Sequence, residues 1–103
     1  MKDLGALNIL RLPLQVLWEF PAIAPKIEQE APTLAADFTK WLAAYSPEVQ
    51  QQLLAQLDWA LAHPTYDFQS ILKNVKTPSQ EILTYFAFLR PVFAQAISNR
   101  LNG

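Results

Sequence analysis

Residues 77–101 constrain the fold most, because they read as one long helix whose apolar face is too broad to leave in water. Thr77-Pro78-Ser79-Gln80 is a capping-box pattern. A hydroxyl there can accept an orphan amide, and the proline sits where no amide is needed. Ile82, Tyr85, Phe86, Leu89, Val92, Phe93, Ala96 and Ile97 then share one face, while Gln80, Thr84, Pro91, Gln95, Ser98 and Asn102 share the opposite stripe. Pro91 therefore falls on the solvent side. The Ala87 carbonyl that it frees can bond water, so the helix bends over its neighbours instead of breaking.

The rest of the chain supplies shorter elements for that face to pack against. Residues 4–20 alternate apolar and polar like a strand, through Leu10, Leu12, Leu14, Val16, Trp18 and Phe20. Yet Asn8, Arg11, Gln15 and Glu19 are spaced three, four and four, which places them on one narrow helical stripe. No second strand exists to pair with it, so the spacing predicts a mostly buried helix, kinked or restarted near Leu12 by Pro13. An exchanged strand in a dimer is the alternative. Pro21, Pro25 and Pro32 mark a connector in which Pro25 could open a short helical turn.

A helix over 33–45 buries Leu34, Phe38, Trp41, Leu42 and Tyr45, with Asp37 and Lys40 outside. Ser46-Pro47 caps the next helix, 47–62, where Glu48 suits the positive end of the dipole. Val49, Leu53, Leu54, Leu57, Ala60 and Leu61 point inward there, and Gln51, Gln52 and Gln56 face water. His63-Pro64 ends it. Asp67 caps a short helix over 68–75, with Phe68, Ile71, Leu72 and Val75 inward and Lys73 and Lys76 near its negative end. The chain thus reads as one all-α domain, 1–103: a compact bundle of four to five helices with a long, proline-bent C-terminal helix. The first and last helices are expected to form its central packing pair.

Composition limits the function. Hydrophobic residues make up 51% of the 103 and charged residues only 17%, which excludes disorder and leaves apolar surface for a partner or a second copy. The net charge is -1 with no Lys/Arg cluster, so nucleic acid is not an expected partner. Charge does divide along the chain. Glu48, Asp58 and Asp67 precede Lys73, Lys76, Arg90 and Arg100 with Glu81, for attraction between packed helices or toward an acidic partner. No apolar run approaches the roughly 20 residues of a membrane span. Met1-Lys2-Asp3 does not open a signal peptide, and the absence of cysteine fits a cytoplasmic protein.

Catalytic chemistry finds no foothold. His63 is the sole histidine, and Asp58 lies five residues back on another part of the helix surface. Glu28 and Glu30 diverge by about 200° on a helix. With no cysteine and scattered acids, no metal-ligand spacing occurs, and two glycines make no phosphate loop. No catalytic residue, metal or cofactor is predicted. Four residues remain as candidate partner contacts. Trp18, Trp59 and Phe88 are large aromatics displaced from the predicted core faces, and Arg90 is the charge within the aromatic run. Trp59 falls with the glutamines, so it is either covered by a neighbouring segment or an exposed anchor. The sequence predicts a small non-enzymatic protein-binding module, an adaptor, assembly factor or inhibitor that docks a partner protein or peptide near the last helix. The alternatives are a carrier with an apolar cavity between helices and a homodimer joined through its excess apolar surface.

Overall fold

A computed structural model describes residues 8–19, 22–72 and 75–102. They form four α-helices and three 3-10 turns, with no strand among the described residues. The N-terminal stretch is helical, as the three-four-four polar spacing predicts. A 3-10 turn, Asn8–Leu10, leads into α1, Arg11–Leu14, and a second turn, Gln15–Trp18, follows. Pro13 has no amide to give, and the α-helical geometry restarts just before it. Arg11, Gln15 and Glu19 are exposed, while Leu10, Leu14 and Leu17 are buried. Residues 4–7 and Phe20 of the predicted helix lie outside the described residues.

The connector expected around Pro25 and Pro32 is instead the first part of α2, Ile23–Ala43. Both prolines fit because each sits in a first turn. Pro25 is the third residue of the helix. Pro32 follows Glu30, whose φ of -131° and ψ of 28° interrupt the helical geometry and restart it. Beyond that kink Leu34, Phe38 and Leu42 are buried, Trp41 is half-buried, and Asp37 and Lys40 are exposed. Helix α3, Pro47–Ala62, has the predicted bounds. Ser46 Oγ accepts a bond from the Val49 amide at 3.3 Å, and Leu53, Leu57 and Ala60 are fully buried.

The helix expected over 68–75 shrinks to one 3-10 turn, Phe68–Ile71, after which Leu72 is extended. Phe68, Leu72 and Val75 still point inward. Asp67 does not cap this turn with its side chain. Its Oδ1 accepts from Ser79 Oγ at 3.4 Å, and Gln69 Nε2 donates to the Thr77 carbonyl at 2.8 Å. Lys73 lies outside the described residues. Helix α4, Ser79–Asn102, runs unbroken through the exposed Pro91, starting from the Pro78 carbonyl, which accepts from the Glu81 and Ile82 amides. Ile82, Tyr85, Phe86, Leu89, Phe93 and Ile97 are buried along it.

The central packing differs from expectation. The broad interfaces of α4 are with α2 and α3, while the N-terminal stretch packs on α3 through Asn8–Leu10. It meets α4 where Tyr85 Oη donates to the buried Pro13 carbonyl at 2.8 Å. Burying Leu10, Leu14 and Leu17 is worth roughly 1.5–3 kcal/mol each, against about 1 kcal/mol for that hydrogen bond. Apolar burial therefore holds the stretch down, and the tyrosine fixes its register. No helix among the described residues is long and apolar enough to cross a membrane.

Candidate functional site

Among the described residues, the surface concavities large enough to hold a partner group include two that adjoin α2. The first lies between the N-terminal stretch and α2, with a volume of about 300 Å³. Val16 forms one wall. Ile23 and Lys26 come from α2 before its kink, and Leu34, Asp37, Phe38 and Trp41 from after it. The restart at Glu30 thus lets one helix line the groove from two directions. The floor is stiff. Phe38 sets its edge toward Tyr85 and Trp41, with centroids 5.8 and 5.9 Å apart, and Trp41 stacks on Phe93 at 5.9 Å.

Two charges border this apolar lining, and they are not equivalent. Lys26 Nζ pairs with Glu30 at 3.4 Å, one helical turn on. Asp37 is exposed and makes no ion pair among the described residues. The groove therefore presents an apolar surface with one uncompensated negative charge at its edge.

The second concavity is a trough between α2 and α4. Two adjoining hollows of about 460 and 310 Å³ share Thr39, Ala96 and Asn99. Leu42, Ala43 and Gln50 complete one end, and Ala35, Pro91, Val92 and Gln95 the other. Gln50 is buried, and its Nε2 donates to the Leu42 and Tyr45 carbonyls at 3.0 and 2.8 Å. It adds a donor to the Leu42 carbonyl, which also accepts from the Tyr45 amide at 3.0 Å, and supplies one to the Tyr45 carbonyl just beyond the end of α2.

Each predicted contact residue has a distinct setting. Trp18 is 51% exposed, the one large apolar side chain in that state among the described residues. Trp59 is covered in part by the segment after α3. The His63 ring stacks on it at 4.0 Å, and Tyr66 meets it edge-on at 5.3 Å. His63 Nδ1 donates to the Trp59 carbonyl at 2.8 Å, since a carbonyl can only accept. Phe88 is half-buried against Phe38, with centroids 6.5 Å apart. Arg90 Nε donates to Asp58 Oδ1 at 2.7 Å. That hydrogen bond, and then the charge of Asp58, raises the guanidinium pKa above its ordinary value. For Arg90 the division of charge along the sequence therefore becomes an attraction between α3 and α4.

Periodicity missed both concavities because each needs two elements side by side. Gln50 had a readable signal. It stands three residues before Leu53 and seven before Leu57, so it is a polar residue on the buried stripe of α3. Comparison with protein-family models, curated proteins and solved structures found no match.

Proposed function

We propose that the protein is a non-enzymatic binding module of the cytoplasm, an adaptor, assembly factor or inhibitor, and that its groove between the N-terminal stretch and α2 takes an amphipathic helical segment of a partner protein. The observation that carries this reading is the apolar groove of about 300 Å³ with the uncompensated carboxylate of Asp37 at its edge. A row of apolar side chains at helical spacing would fill the space between Val16, Leu34, Phe38 and Trp41. A lysine or arginine on the same segment would meet Asp37, and such complementarity selects the partner and its orientation. Trp18, on the same N-terminal stretch as Val16, adds an exposed aromatic of the type enriched at interfaces. A carrier of small apolar molecules would use the same groove. Its volume stands at the lower limit for small-ligand sites, which favours a few side chains of a partner over a lipid.

A synthetic helical peptide of about 15 residues, with leucines at i, i+3 and i+7 and one lysine beside them, is the probe. Calorimetry should give saturable binding by the wild type, weakened about tenfold or more by Asp37→Lys. Val16→Glu should abolish it while the circular dichroism spectrum stays helical. Equal binding of a peptide with glutamate in place of lysine would refute the role of Asp37, and undiminished binding by Val16→Glu would refute the groove.

A further inference from the structure

Asp37 and Trp41 stand four residues apart on the regular part of α2, beyond the interruption at Glu30, and both line the groove. Residues at that spacing are neighbours on a helix surface, roughly 5–6 Å apart at Cβ. Helical side chains also lean toward the N-terminus, so the indole covers the turn that starts at Asp37. The indole is held in place. It stacks on Phe93 at 5.9 Å and makes an edge contact with Tyr45 at 4.9 Å, yet it is only half-buried. An aromatic fixed in this way needs no further ordering when a ligand arrives.

Charge decides the sign of what can sit there. Lys26, from before the kink, pairs with Glu30, while Asp37 makes no ion pair among the described residues. The attraction at the Asp37 edge is therefore for a cation. An ammonium and a guanidinium would use that edge differently. Lysine is a strongly hydrated point charge, which keeps its water and gains a weak exposed ion pair. Arginine is planar and more weakly hydrated. It can lie along an aromatic ring while its fork of N–H groups donates two bonds to one carboxylate. Its methylene stem can run over the apolar lining at Val16 and Leu34.

Resting on the groove reading above, we infer that the partner segment presents an arginine, and that Trp41 makes the groove select arginine over lysine. The guanidinium lies against the indole and donates to both Asp37 oxygens. Asp37 supplies the charge, and Trp41 supplies the flat surface that an ammonium cannot use as well.

The probe is the amphipathic peptide of about 15 residues, made with arginine, lysine or citrulline at its one basic position. Citrulline keeps the shape of arginine without its charge. Calorimetry on the wild type should show the arginine form binding about fivefold more tightly than the lysine form, the worth of one exposed cation–aromatic contact. The citrulline form should bind most weakly. Trp41→Leu should bind both charged forms with an arginine-to-lysine ratio close to one, and Trp41→Phe, which keeps a ring, should retain a preference for arginine. That ratio is read within one folded sample, so a general loss of stability does not move it. Asp37→Asn should lower the arginine and lysine forms toward the citrulline level. Equal affinity of the wild type for arginine and lysine would overturn the inference and leave the groove standing. An undiminished ratio in Trp41→Leu would overturn the role of Trp41. No binding of any form would overturn the groove reading and this selectivity together.

Discussion

Replacing Tyr85 by phenylalanine tests how the N-terminal stretch is fixed to the core. The ring is fully buried and keeps its contacts with Phe38 and Phe86, so only the hydroxyl and its 2.8 Å bond to the Pro13 carbonyl are lost. The carbonyl stays behind in a buried residue without that donor. Losing the bond and stranding its acceptor together cost about 2 kcal/mol. In a domain of this size that lowers the melting temperature by roughly 8–12 °C. Urea titration followed by circular dichroism should show a lower midpoint with an unchanged slope, because the surface exposed on unfolding is the same.

The same variant carries a pH signature. Burial pushes the Tyr85 phenol well above its ordinary value of 10.0. An unfolded phenol ionises near 10, whereas the folded one keeps its proton, so above that pH the unfolded state binds fewer protons. Stability from this group is therefore complete below about pH 10 and is lost as pH rises toward the folded value. The wild type should lose stability more steeply than Tyr85→Phe between about pH 10 and 11.5. If the variant matches the wild type in urea midpoint and in alkaline slope, the buried bond to Pro13 does not set the register of the stretch.

Three further substitutions separate the remaining interactions. Ser46→Ala removes the cap of α3 and should destabilise the fold by about 1 kcal/mol, read in the same urea titration. Gln50→Leu removes the side-chain donor from the half-buried Tyr45 carbonyl and one of the donors to the Leu42 carbonyl, which keeps the Tyr45 amide, and should cost about 1–2 kcal/mol. A double-mutant cycle on Asp58 and Arg90 should give a small coupling that vanishes in molar salt, since both side chains are about half exposed.

Much of the fold was legible because periodicity marks the buried faces of α3 and α4 and capping marks the start of α3. Ser46-Pro47 and His63-Pro64 bracket α3 at its observed ends, and the predicted polar stripe of α4 is exposed at Gln80, Thr84, Pro91, Gln95 and Ser98. The polar stripe of residues 8–19 likewise chose helix over strand. The first part of α2 was hidden because prolines read as breakers unless their place within a turn is known. Pro25 and Pro32 each fall where the helix needs no amide, one at its start and one just after Glu30. The turn at Phe68–Ile71 was over-extended because Leu72 and Val75 are buried at helical spacing although the backbone is already extended at Leu72. Trp59 could not be placed from its own helix, since what covers it comes from His63 and Tyr66 beyond the helix end. The groove required Val16 to stand beside α2, and no pattern within either segment reports that.

The binding reading meets its most direct test in an amide-resolved NMR titration of the wild type with the lysine-bearing amphipathic peptide. Shifts that grow with peptide at Val16, Ile23, Leu34, Phe38 and Trp41, with Gln51 and Gln52 on the outer side of α3 unmoved, are the predicted result. Shifts confined to Trp59, Phe88 or the α2–α4 trough, or no shift at saturating peptide, would contradict it.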